Sequence, residues 1–299
     1  MLQAAIDVGS NTLRMLIARV EGGAPAECRY YREITRLAGG FDPTNGLNPA
    51  SVERTLRVLE EFGQTLRERQ VEKIRAAGTA ALRQAPDAAE FLAAAYARSG
   101  IRIEIIDGGC EAELSCRGIF SVLDPLPMRA VLFDIGGGST ELLVVSGRRV
   151  RYRVSLPLGV VGLSERFSAP VERQAEIEAQ LNQMTGDPLW RQHFQPRANF
   201  ELIGTAGTVT TLAAMKLELN RYDGARVNNL VLTRSWLQEL TTRLDGMSLE
   251  ERRQLPGLET GREEIIMPGL QLVDTLFALT GCSDLRVADA GLLEGLLLA

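Results

Sequence analysis

The sequence predicts an α/β protein built from two duplicated domains, and three observations carry that prediction. Short apolar runs alternate with helical patterns along the chain, as in mixed sheets covered by helices. The run Ala5-Ile6-Asp7-Val8-Gly9-Ser10 can be laid beside Leu132-Phe133-Asp134-Ile135-Gly136-Gly137, the mark of one domain type used twice. Between them, Asp124, Pro125 and Pro127 interrupt the regular pattern, which divides the chain into residues 1–124 and 125–290.

In the first half, residues 2–8 read as a buried strand, a turn follows at Gly9 to Asn11, and residues 13–20 resume as a second strand. Asn48 and Pro49 form an N-cap and first-turn pair. Behind them Val52, Leu56, Leu59, Phe62 and Leu66 make one apolar helical face. Residues 73–77 and 101–106 read as strands separated by a helix over 88–97, and residues 111–120 as a short helix after the turn Asp107-Gly108-Gly109-Cys110.

The second half repeats the opening: strand 130–135, a turn at Gly136-Gly137-Gly138-Ser139, then strands 142–145 and 150–154. Residues 171–184 are helical and 200–203 form a strand. A helix over 209–219 is opened by the loop Gly204-Thr205-Ala206-Gly207-Thr208. A strand at 285–287 precedes a closing helix over 291–298.

With 299 residues, 45% hydrophobic and 24% charged, the chain is long enough for two packed cores. A net charge of -5 and a pI near 5.3 argue against a nucleic-acid partner, which needs a basic footprint, so an anionic substrate has to be held by local donors. Only Lys73 and Lys216 are lysines among 33 basic residues. Arginine's planar fork suits phosphate, although an arginine-biased genome is the simpler account. Four cysteines without a CxxC pair and the single His193 give zinc little support and fit a reduced cytoplasm. Asp7, Asn11 and Arg14 interrupt the apolar start, which does not read as a signal peptide, and no segment approaches a membrane span.

Three short segments share one chemical character: Gly9-Ser10-Asn11-Thr12 after Asp7, Gly136-Gly137-Gly138-Ser139-Thr140 after Asp134, and Gly204 to Thr208 with Gly207 and Thr208 at its end. Glycine lets the backbone approach a phosphate and aim successive amides at it, and hydroxyls add donors. For any one segment a tight hairpin turn explains the glycines equally well; three at comparable strand ends favour phosphate.

Asp7 and Asp134 end apolar strands beside these loops, where a carboxylate either caps neighbouring amides or holds a divalent cation. Glu141 can share that cation with Asp134. Glu111 is placed to orient and deprotonate water, and spacing alone ranks it only slightly above Glu113. Arg14 and Arg83 can neutralise phosphate oxygens, or simply be solvated.

Taken together, these residues resemble the exopolyphosphatase and guanosine pentaphosphate phosphatase family, a branch of the actin, sugar-kinase and heat-shock ATPase superfamily. The resemblance rests on Ile6 to Thr12 with Arg14, on Gly78 to Arg83, on Glu111-Ala112 with Leu114 and Gly118, and on Asp134 to Glu141. Ser155 to Gly159, Gly204 to Thr208 and Asp289-Ala290-Gly291-Leu292 extend it over nearly the whole chain. It implies two ribonuclease H-like (actin-like ATPase) domains around an interdomain cleft, with the last helix, residues 291–299, packing back on the first domain. It implies Glu111 as the catalytic glutamate and Asp134 and Glu141 as acidic residues that position magnesium and water; Asp7 stays a further candidate ligand from its strand-end position alone. Arg83 is implied as a substrate-contacting arginine, and the three loops as phosphate-binding segments.

The implied substrate is polyphosphate or a guanosine polyphosphate, and the implied cofactor Mg2+ or another divalent cation. A homodimer is allowed for. A non-catalytic sensor of these ligands and a small-molecule kinase are the alternatives. Gly162, Asn228 and Leu293 stand where relatives often carry arginine or histidine, and each such exchange removes a positive charge that a long polyanion would use.

Overall fold

The computed structural model describes residues 1–22, 24–42, 44–195 and 199–299. The chain divides into two compact units, Met1–Ser121 with Ala290–Ala299, and Val122–Asp289.

In the first unit a hairpin of β1 (Leu2–Val8) and β2 (Thr12–Glu21) continues into β3 (Ala24–Ile34). Helix α1 (Pro49–Glu68), β4 (Lys73–Gly78), α2 (Ala80–Gln84), α3 (Ala88–Ser99), β5 (Ile103–Ile105) and α4 (Gly108–Val122) follow. The sheet order is β3-β2-β1-β4-β5, with β1, β4 and β5 parallel and β2 and β3 antiparallel. Helix α1 starts where the sequence places it: the Asn48 side chain accepts from the N–H groups of Ala50 and Ser51, and Pro49 fills the first position, where no donor is needed. Its stripe Leu56, Leu59, Phe62 and Leu66 is buried with Ile6, Val8 and Leu13 on one face of the sheet. The opposite face buries Ala5, Leu16 and Ala18 with Leu114 of α4 and Leu292, Leu293, Leu296 and Leu297 of the last helix.

The second unit repeats the design. β6 (Arg129–Ile135), β7 (Thr140–Ser146) and β8 (Arg149–Leu156) form the antiparallel meander, followed by α5 (Val160–Arg166), α6 (Pro170–Thr185) and α7 (Pro188–His193). Next come β9 (Glu201–Thr205), α8 (Ala206–Lys216), α9 (Gly224–Val227), β10 (Val231–Thr233), α10 (Arg234–Asp245) and α11 (Leu249–Arg253). Helix α12 (Ile266–Thr280) and β11 (Asp284–Val287) close the unit, and α13 (Leu292–Leu297) returns to the first. The sheet order β10-β11-β9-β6-β7-β8 is the first unit's order with one antiparallel edge strand added. This is a mixed α/β fold of two sheets with one shared topology.

Three residues assigned by sequence to the first domain, Val122 to Asp124, sit in the second unit. Asn229 explains why: its amide donates to the Val122 carbonyl at 2.7 Å and accepts from the Asp124 N–H at 3.0 Å. Leu293 stands where an arginine was expected and is buried between α13 and the sheet, where it adds packing.

Candidate active site

The β1–β2 turn is closed by the Gly9 N–H donating to the Thr12 carbonyl at 3.2 Å, and the β6–β7 turn by the Gly136 N–H donating to the Ser139 carbonyl at 2.9 Å. In both turns the carbonyls are held from behind. Ser10 accepts from the Ala38 N–H, and Asn11 from those of Thr35 and Arg36; Gly136 accepts from Val160, and Gly137 from Val161 and Gly162. Among the described residues no acceptor meets the N–H groups of Ser10, Asn11, Gly137 or Gly138. Each turn therefore offers successive free donors, the arrangement of an anion nest. A Cβ on Gly159 would collide with the Gly137 carbonyl, so glycine is required where α5 begins behind the second nest.

The third segment is not a loop. Thr205 ends β9 and Ala206 begins α8 with φ +63°, a left-handed conformation that costs a non-glycine residue about 1–3 kcal/mol. This tight strand-to-helix turn presents Gly207 and Thr208 as the first turn of a helix, whose unsatisfied amides carry partial positive charge. Across Gly207 lies the Arg262 guanidinium, in the space a side chain would fill: an added Cβ would stand 2.8 Å from Nη1. Its Nε donates to Glu259 at 2.8 Å. A guanidinium over a helix N-terminus is repelled by the helix dipole, and an anion between them relieves that repulsion. Sequence reasoning missed Arg262, because nothing in Gly261-Arg262-Glu263 distinguishes it from a surface arginine.

Three of the hydroxyls expected near phosphate are engaged with protein groups. Thr140 is fully buried and donates to the Leu158 carbonyl at 2.6 Å; Thr208 is buried and donates to the Ile135 carbonyl at 3.3 Å. Each hydroxyl has one proton, and here it is committed to the backbone rather than to a phosphate oxygen. Ser139 likewise donates to Glu141 at 2.7 Å.

Asp7 and Arg14 are directly opposite across β1 and β2. Arg14 donates through Nε at 3.0 Å and Nη2 at 2.6 Å to Asp7 Oδ2, while the buried Oδ1 has no partner. Asp7 thus anchors Arg14 through one carboxylate oxygen and leaves the other available.

Asp134 and Glu141 are opposite one another across β6 and β7 in the same way. Glu141 Oε1 accepts from Ser139 and from Ser155, both at 2.7 Å. The motif Ser155 to Gly159 therefore meets the motif Asp134 to Glu141 through this serine.

Glu111 lies in the first turn of α4, which begins at Gly108, earlier than the sequence suggested. The Asp107 carboxylate caps that turn by accepting from the Gly109 and Cys110 N–H groups. Arg83, expected on substrate, donates through Nη1 to Glu111 Oε2 at 2.7 Å and to the Ile106 carbonyl at 2.8 Å. It acquires that position because α2 follows β4, which pairs with β5, the strand leading to Ile106.

Beside Arg262, the Tyr222 hydroxyl donates to Asp289, whose carboxyl is pushed above the usual range chiefly by burial and drawn back by that hydrogen bond. Asn228 accepts the Asp289 N–H at 2.6 Å, so the asparagine found in place of histidine has a structural task.

Among the described residues no group of three or more His, Cys, Asp and Glu side chains forms a metal cluster. Two carboxylates in cross-strand register nevertheless suit magnesium, which is commonly held by one or two carboxylates together with substrate phosphates and water.

Each unit thus carries groups suited to phosphate: a glycine turn and Glu111 held by Arg83 in the first, a glycine turn and the α8 N-terminus under Arg262 in the second. The Ppx/GppA phosphatase family model matches residues 16–299. Exopolyphosphatase 2 of Mycobacterium tuberculosis is 33% identical over 318 residues, covering 99% of this chain and 97% of that protein. The crystal structure of the Aquifex aeolicus Ppx/GppA family member superposes with a TM-score of 0.84 at 29% identity, covering 100% of this chain and 96% of that one. An exopolyphosphatase from Cytophaga hutchinsonii shares the fold, with a TM-score of 0.81 at 22% identity, covering 99% of this chain and 96% of that one. The chain belongs to the Ppx/GppA phosphatase family, and so to the phosphoanhydride hydrolases.

Proposed function

We propose that this protein is an exopolyphosphatase-type hydrolase that releases the terminal phosphate of inorganic polyphosphate, with guanosine pentaphosphate as a second substrate of the same chemistry. The observation that carries the proposal is Glu111 held by Arg83 at the start of α4, in a chain of this family. Polyphosphate is placed first because the Mycobacterium tuberculosis relative, matched over 99% of this chain, is named an exopolyphosphatase.

In this reading the amides of Ser10 and Asn11, and those of Gly137 and Gly138, bind phosphate oxygens. Arg14 and Arg262 neutralise their charge, and the Gly207 end of α8 adds its dipole. Glu111 orients water and takes its proton as the water oxygen bonds to the terminal phosphorus; the bridging P–O bond breaks and the shortened chain leaves. Arg83 fixes the Glu111 carboxylate for that task. Asp134 and Glu141 would hold Mg2+, with Ser139 and Ser155 orienting Glu141. Magnesium bound there would supply charge neutralisation at the phosphoryl oxygens.

The test is to incubate the purified protein with magnesium and, separately, long polyphosphate, tripolyphosphate, guanosine pentaphosphate and ATP, and to measure released phosphate. Release from polyphosphate is expected; tight binding with no release over hours would point to a sensor, and phosphate transfer to a small acceptor to a kinase.

A further inference from the structure

Three cross-strand neighbours line up in each sheet: Asp7, Arg14 and Arg32 across β1, β2 and β3, and Asp134, Glu141 and Ser155 across β6, β7 and β8. The strands correspond one for one in the shared topology, so Arg32 holds the place that Ser155 holds in the second unit. There, the third residue reaches back to the second, Ser155 to Glu141 at 2.7 Å. In the first unit the third residue is a second arginine beside the first. Arg14 and Arg32 are directly opposite on neighbouring strands, where side chains start about 5 Å apart and like charges destabilise the pair. Asp7 balances Arg14. Arg32 is exposed and, among the described residues, its side chain has no ion-pair or hydrogen-bond partner. The row carries one negative and two positive charges, and the Ser10 and Asn11 amides without acceptors lie at the turn of the same hairpin.

We propose that Arg32 is a phosphate-binding residue, forming with the Asp7-anchored Arg14 a two-guanidinium clamp for the phosphate next to the one at the Ser10 and Asn11 amides. The inference rests on the hydrolase reading for its substrate class. Its chemistry requires only a chain of linked phosphates. The two rows then divide the work: the basic one takes phosphate oxygens, and the acidic one, with its serine, takes the cation.

The test uses full-length Glu111→Gln protein with magnesium, titrated calorimetrically with tripolyphosphate, with and without Arg32→Gln. Loss of one charge-assisted contact is expected to weaken binding about tenfold or more, and Arg32→Lys to recover part of the loss. The ligand-free melting temperature of Arg32→Gln should be unchanged or higher, since the like-charge contact is relieved. An unchanged affinity, or a drop in ligand-free melting temperature that accounts for the loss, would overturn the proposal. Phosphate release by the unaltered protein is measured separately. A protein that binds tripolyphosphate through Arg32 yet releases no phosphate would sink the hydrolase reading and leave the clamp standing.

Discussion

Asp7 and Asp134 hold the same position in two sheets of one topology, and the residues facing them across the hairpin carry opposite charge: Arg14 in the first unit, Glu141 in the second. One duplicated scaffold has thus been filled with a carboxylate–guanidinium pair and with a pair of carboxylates. A pair of carboxylates in register is unfavourable unless a cation or a proton lies between them.

Glu141→Gln tests that point. The amide oxygen can still accept from Ser139 and Ser155, so the fold should be retained. The magnesium concentration for half-maximal phosphate release is expected to rise at least tenfold. An unaltered magnesium dependence would remove Glu141 from the cation site.

Glu111→Gln is expected to lower the rate of phosphate release by about a hundredfold or more with an unchanged melting temperature. If Arg83 acts chiefly by holding Glu111, Arg83→Gln should lower kcat by a smaller factor, on the order of tenfold, with little change in KM. A large KM effect with normal kcat would place Arg83 on substrate, as the sequence suggests.

Thr140→Val separates structure from binding. Removing the donor leaves the Leu158 carbonyl buried and unpaired, at a cost of about 1–3 kcal/mol in denaturant unfolding. Activity per folded molecule should be unchanged. A rise in KM would place the hydroxyl on substrate.

Asp289 gives a pH signature. Burial raises its folded pKa above the ordinary aspartate value, so over the window between the two the folded state binds the proton more tightly than the unfolded state. Its contribution to stability is therefore full below the unfolded value and declines as pH rises through the folded one. Asp289→Asn keeps an acceptor for Tyr222 and removes the charge. It should raise the melting temperature at pH 7, with the gain vanishing below about pH 4; a gain independent of pH would contradict this account.

Gly295→Ala tests the return of α13. Alanine ordinarily favours a helix over glycine, but the added Cβ would run into the Leu114 carbonyl of α4. Destabilisation of about 2–3 kcal/mol is expected from calorimetric melting.

Much of the scaffold was legible before any coordinates. The hairpins, α1 with its Asn48 cap and the duplicated openings follow from strand and helix periods and from turn chemistry, which are properties of neighbouring residues. The edge strand β3 was missed: its alternation is masked by exposed Tyr30 and Ile34 among charged residues, so it reads as polar. Helix α12 was missed because it is buried on nearly every side and has no amphipathic stripe.

The sequence by itself determined the glycine turns, the strand-end carboxylates and the phosphate chemistry they imply, because backbone freedom and ionic charge belong to the residues wherever the chain goes. Only the tertiary structure decided which group meets which: Arg262 over Gly207, Arg83 on Glu111, Ser155 on Glu141, Arg32 beside Arg14, and the Thr140 and Thr208 hydroxyls turned to the backbone. Those pairings come from sheet register and helix packing between segments far apart in the chain, and no local period encodes them.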